Sequence, residues 1–125
     1  MKLIDANILI RYLLNDHPEM SAKAKEIMLN NSVLVLTQVI AEVVYVLSGV
    51  YSVDRIDIAN ALRKVSSIPN VSFENNDVVL LAIDEYGNNN LDFVDELLYA
   101  HHKIHGYPVE TFDKKLNRKL GLTQS

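Results

Sequence analysis

A chain of 125 residues, 49% hydrophobic and 22% charged, can fill one core and is too short for two, so it reads as a single domain over 1–125. It has no cysteine, which excludes disulfides, thiolate catalysis and cysteine-bound zinc, and a reducing compartment, the cytoplasm, is the expected location. The formal net charge of −4 argues at first against a nucleic-acid partner, and neither a signal peptide nor a membrane span is expected: the longest apolar run, Val39 to Tyr51, is broken by Glu42.

In chain order, Lys2 to Ile4 is predicted to be a short buried strand. Asn7 to Leu14 follows with Ile8, Leu9, Tyr12 and Leu13 at helical spacing. "NDHPEM" is a turn, with Asp16 or His17 placed to precede a second helix that Pro18 begins. That helix runs to about Leu29, and "VLVL" (Val33 to Leu36) is a continuous apolar strand of the kind covered on both faces. Thr37 is the expected cap of a helix from Gln38 to about Ser48. Val53 to Ser67 is a fourth helix capped by Asp54, and Val71 to Phe73 alternates as a strand. Asn76 or Asp77 opens a helix to Tyr86, "GNNN" ends it, and Phe93 to His105 is a helix stopped by Gly106. "PVETF" (Pro108 to Phe112) is predicted as a fourth strand and Lys114 to Lys119 as a short last helix. Strands alternating with helices, without hairpin signals, imply a parallel sheet with helices on both faces. Ligands of such sheets gather at the carboxyl ends of the strands.

Five acids stand at telling places. Asp5 follows the first strand, Asp113 follows the predicted fourth strand, Asp92 and Asp95 share the first turn of one helix, and Glu42 sits among Ile40, Ala41, Val43 and Val44. Each has an ordinary alternative. Asp5 and Asp113 can be N-caps, Asp92 and Asp95 can complement a helix dipole, and Glu42 can lie on a narrow wet stripe. Together they suit one chemistry. Carboxylates crowded into one pocket repel one another, and a divalent cation removes the penalty. An all-oxygen donor set favours a hard ion, Mg²⁺ or Mn²⁺, over zinc. Such an ion activates water and polarises a phosphoryl oxygen.

"LIDANILIRYLL", the Glu42 of "TQVIAEVVYVL", "DFVDELLYAH" and "ETFDKKLNRK" resemble the four motifs of PIN-domain ribonucleases, most closely the VapC toxins of prokaryotic toxin–antitoxin pairs. The resemblance implies a PIN-like three-layer α/β/α fold around a central parallel sheet of four to five short strands. It implies a metal-dependent endoribonuclease with one or two Mg²⁺ or Mn²⁺ ions, whose acids fall on Asp5, Glu42, Asp95 and Asp113, with Asp92 as a frequent companion. Asn7 and Thr111 match supporting polar positions. It also implies a homodimer, and a cognate antitoxin whose tail lies along an apolar groove of the early helices, beside the stripe Ile8, Leu9, Tyr12 and Leu13.

Setting aside the four matched acids takes the formal charge from −4 to 0. The basic run Lys114, Lys115, Arg118 and Lys119, otherwise a solvated helix face, then gains weight as a phosphate guide, with Arg11 either assisting or forming a surface ion pair. His101 and His105 have the spacing of paired metal ligands, but no glutamate completes a zinc-protease motif. Two rival readings are a receiver-like phosphoacceptor domain, which would want an acidic pair after the first strand, and a PIN-like scaffold that binds without cutting.

Overall fold

The computed structural model describes residues 1–121, and among these it forms three short strands and seven helices. The order is β1 (Lys2–Leu3), α1 (Ala6–Leu14), α2 (Pro18–Asn30), β2 (Val33–Val35), α3 (Thr37–Gly49), α4 (Arg55–Ser66), β3 (Val71–Phe73), α5 (Asn76–Asn88), α6 (Phe93–His105) and α7 (Lys114–Leu120). The strands pair in parallel in the order β1-β2-β3, with Lys2 opposite Val33 and Val33 opposite Val71. β2 is therefore the middle strand. Its unbroken apolar sequence suits that place, since Val33 and Val35 are fully buried and Leu34 is half-covered on the other face. β3 needs only one covered face: Val71 and Phe73 point in and Ser72 points out.

Two strand expectations are corrected. β1 is an edge strand whose two residues are exposed, with Leu3 at 62%, and only Ile4 just beyond it is buried. The fourth strand expected at Pro108 to Phe112 does not form among the described residues, so the sheet has three strands, not four to five. The Thr111 carbonyl in that segment, and the Tyr107 carbonyl just before it, are engaged locally. The Tyr107 carbonyl meets His102 Nδ1 at 2.8 Å, the Thr111 carbonyl accepts from the Asn117 amide at 3.0 Å, and Pro108 has no N–H to offer a ladder.

The helices follow their local signals. His17 caps α2, its Nδ1 accepting from Met20 N at 3.1 Å, and Pro18 takes the first helical position. Gly106 ends α6 at φ 72°, a left-handed turn that glycine adopts without steric cost. Thr37 does not cap α3 as expected. It is the first helical residue, and its amide is capped from across the sheet edge by Glu74 Oε1 at 2.9 Å.

The main core joins β2 and β3 to the buried faces of α1, α3, α4 and α5. A second, small cluster of Leu91, Leu116 and Leu120, with Tyr99 and Val109 against it, seats α7. Arg55, at the start of α4, fixes the chain that leads into α6. Its guanidinium lies 3.7 Å from the Tyr86 ring centroid, its Nε donates to the Tyr86 carbonyl at 2.9 Å, and it also donates to the Leu91 carbonyl.

α4 and α5 touch most closely at Gly87, where an added Cβ would lie 2.9 Å from the Ala59 Cβ. Gly87→Ala should therefore destabilise the protein by about 1 kcal/mol net, roughly 2 from overpacking against about 1 regained in helix propensity. Urea denaturation checks this. The exchange variant Gly87→Ala/Ala59→Gly again places one methyl at the crossing and should return close to wild type.

Candidate active site

Asp5 leaves the carboxyl end of β1 and becomes the N-cap of α1, with Oδ1 accepting from Ile8 N at 3.0 Å. Asp113 repeats the device at the start of α7, where Oδ1 accepts from Leu116 N at 2.8 Å. The capping and functional readings are compatible. The cap uses one oxygen and fixes the carboxylate, while Oδ2 of each takes no protein hydrogen bond among the described residues. Thr111 sets the approach to Asp113: its Oγ1 accepts from the Asp113 amide at 3.0 Å, and Asn117, itself buried, holds its carbonyl.

Asp92 occupies the N-cap position of α6, but its side chain makes no capping hydrogen bond, so of the ordinary alternative only the charge facing the helix dipole remains. Asp95 stands in the first turn of the same helix and is half-buried. Burial raises its pKa above the ordinary carboxylate value, and the charges of Asp113 and then Asp92 raise it further. The starts of α6 and α7 thus bring the charges of Asp113 and Asp92 to bear on Asp95.

Asp5 and Glu42 are not among the groups that act on Asp95. Glu42 lies on an exposed stripe of α3 with Gln38 and Tyr45, while Val39, Ile40, Val43, Val44 and Leu47 are buried, so its apolar sequence neighbours face away from it. α3 packs against both α1, which Asp5 begins, and α6, which carries Asp95. The cleft beside Tyr45 and Val44, of about 470 Å³, is shared with Asp92 and Phe93.

The other candidate residues are placed as follows. Asn7 is exposed on the first turn of α1. Arg11 donates to both oxygens of Asp16 at 2.9 and 3.0 Å and to the Tyr51 hydroxyl at 2.7 Å, which makes it an ion-pair residue in this structure. Lys114, Lys115 and Arg118 are exposed and without acidic partners among the described residues. Lys119, the fourth base of the run, bridges Glu85 at 3.0 Å and Glu96 at 2.9 Å and lies 4.5 Å from the Tyr99 ring centroid. Burial alone would lower the Lys119 pKa, but its hydrogen bonds to Glu96 and Glu85 outweigh that and raise it. Burial raises the Glu96 pKa and Lys119 opposes the rise. His101 and His105 stack with Tyr107, with centroids 5.5 to 6.2 Å apart.

Two acids were missed from sequence. Glu74 follows β3 directly, as Asp5 closely follows β1, and that parallel was the signal for it. Glu96 shares its inward face with Phe93 and Ala100 at i, i+3 and i+7 spacing, which marks it as buried.

The donor set is all oxygen, and the repulsion at Asp95 is of the kind a divalent cation relieves. The residues therefore fit a hard cation. Among the described residues no three His, Cys, Asp or Glu side chains converge as a ready ligand set. Mg²⁺ suits such spacing, because it keeps several of its own waters and takes only one or two carboxylates directly.

These features define an α/β domain with a parallel sheet, capping acids at strand and helix ends, and a half-buried carboxyl, Asp95, whose pKa is raised by burial and by acids at two helix starts. The family model for the PIN domain matches residues 2–121, and the chain belongs to the PIN domain family, a family of nucleases. Comparison with curated proteins and with solved structures gives no match. No helix among the described residues is long and apolar enough to cross a membrane.

Proposed function

We propose that this protein is a metal-dependent endoribonuclease, the toxin of a prokaryotic type II toxin–antitoxin pair of the VapC kind. The observation that carries the reading is the half-buried Asp95 raised by Asp113 and Asp92 within a PIN domain. Asp5, Glu42, Asp95 and Asp113 would hold one or two Mg²⁺ or Mn²⁺ ions, directly or through water, with Asp92 beside them. Bound there, the ion supplies an activated water and offsets charge on the phosphoryl group and departing oxygen. The chain's own part is orientation. The caps on Ile8 and Leu116 aim Asp5 and Asp113, Thr111 and Asn117 fix the turn before Asp113, and Asn7 offers an amide at the rim. Lys114, Lys115 and Arg118 supply positive charge for the RNA backbone. The expected products carry a 3′-hydroxyl and a 5′-phosphate.

The partners belong to the same reading. A groove of about 590 Å³ between α1, α2 and α4, with Tyr12, Leu13 and Val65 among its lining, suits an antitoxin segment. Leu9 of the stripe expected there lies instead in the core. Exposed Tyr45, Val50 and Val94 suit a homodimer.

The test is cleavage of RNA by the purified protein with Mn²⁺ and with EDTA. Wild type should cut only with metal, and Asp5→Asn should be inactive while keeping its circular dichroism spectrum. Full cleavage by metal-stripped protein would sink the mechanism. RNA binding without cleavage under any divalent ion would favour a PIN-like binding module.

A further inference from the structure

We propose that the cleft between the Asn89–Leu91 loop and α7 binds a backbone phosphate of the RNA strand close to the one that is cut, an inference that rests on the ribonuclease reading above. The cleft has a volume of about 480 Å³. Asn89, Asn90 and Leu91 form one wall, and Lys115 and Arg118 form the other. Both walls lead, along the chain, to acids of the candidate site. Leu91 immediately precedes Asp92, and Lys115 comes two residues after Asp113, the two acids that act on Asp95. A strand held at these acids can extend toward this cleft.

The charges of the cleft select an anion. Glu85, its one acid, is already paired with Lys119 at 3.0 Å, and Lys119 is in turn held by Glu96. Lys115 and Arg118 remain exposed with no acidic partner among the described residues, and their i, i+3 spacing puts them on the same side of α7. The Asn90 side chain is exposed and adds amide donors. No aromatic ring among the described residues lines the cleft, and these offer no platform on which to stack a base. A phosphate matches these groups, and a nucleobase does not. Arg118 lies five residues, about 7.5 Å at the helical rise, farther along α7 than Asp113. Of the basic run, then, the cleft takes Lys115 and Arg118, Lys114 falls outside its lining, and Lys119 is occupied in holding acids.

The experiment measures RNA cleavage kinetics of the full chain in Mn²⁺ over a range of salt. Lys115→Gln/Arg118→Gln is compared with Lys23→Gln/Lys103→Gln, which removes the same charge from exposed positions elsewhere. The cleft variant should raise KM about tenfold with kcat within about twofold. The slope of log(kcat/KM) against log[salt] should fall by roughly 1.4, the value for two lost contacts to a single strand. The control pair should leave the slope unchanged. A second arm walks one neutral methylphosphonate linkage along the RNA on either side of the cut. One position should cost wild type in KM and cost the cleft variant nothing more. Equal effects of the two variant pairs, or no position at which wild type and the cleft variant differ, would overturn the subsite while leaving the nuclease reading intact. A wild type that cleaves no RNA with any divalent ion would overturn the nuclease reading and the subsite with it.

Discussion

Asp95→Asn should reduce metal-dependent RNA cleavage by more than about 100-fold, since loss of residues that merely support a metal site already reaches that size. The same substitution should raise the melting temperature of the metal-free protein at neutral pH. The sign follows from the raised pKa of Asp95 in the folded state, caused by burial and then by Asp113 and Asp92. The folded protein favours the neutral carboxyl. The stability this group contributes is complete below its unfolded pKa, about 3.9, and is lost as pH rises through the folded value. Metal-free wild type should therefore lose more stability than Asp95→Asn between about pH 4 and neutrality. Glu96, whose pKa burial also raises, is present in both proteins and cancels in the difference. Melting curves across this range in EDTA test the claim. Added Mn²⁺ should then raise the melting temperature of wild type and not of Asp95→Asn, because only binding to the folded state stabilises it. A variant that melts below wild type at neutral pH would show that the cluster is not repulsive.

Asp92→Asn separates the two acids of α6. Asp92 makes no capping bond, so its replacement costs no helix cap. It removes the smaller of the two charge effects on Asp95 and should lower activity by on the order of 10–100-fold, less than Asp95→Asn. A dead Asp92→Asn beside an active Asp95→Asn would mean that Asp92 is the principal ligand of α6.

The helices around the site were legible because their signals are local. Phe93–His105 is bracketed by Asp92 and Gly106, and Lys114–Leu120 by Asp113 and Gly121, within a few residues of each end. The strands were less legible, because a strand of two or three residues is defined by partners far away in sequence. Nothing in "KLI" shows that β1 lies at the sheet edge, and nothing in "PVETF" shows that its Thr111 carbonyl goes to Asn117 instead of a ladder. The same nonlocality moved the cap of α3 from Thr37 to Glu74, 37 positions away. The capping alternative for Asp5 and Asp113 was visible because capping is a three-residue affair, and both side chains do cap. The repulsion at Asp95 joins two helices and was reached only by supposing that the acids converge.

Lys119→Ala should destabilise the protein by about 3–5 kcal/mol, the range for removing one partner of a buried ion pair. Glu96 is fully buried, its Oε2 has no hydrogen-bond partner, and Lys119 is the charged group bonded to its other oxygen. Without Lys119 a buried carboxylate is left without the bond that holds it. Replacing both members with apolar residues removes the unpaired charge as well as the bond, so Glu96→Leu/Lys119→Met should recover most of the loss. Urea denaturation of the single and double variants measures this coupling. Activity is expected to behave differently. Glu96 is adjacent to Asp95 on α6, and Lys119 lies on the helix that Asp113 begins, so their bond helps set how the two acids face each other. In the double variant α7 is seated by Leu91, Leu116 and Leu120 without that bond. It should therefore fold with near wild-type stability yet cleave RNA more slowly and require more Mn²⁺ for half-maximal rate. If the double variant regains stability and full activity at the wild-type Mn²⁺ requirement, the pair holds α7 in place without setting the geometry of Asp95 and Asp113.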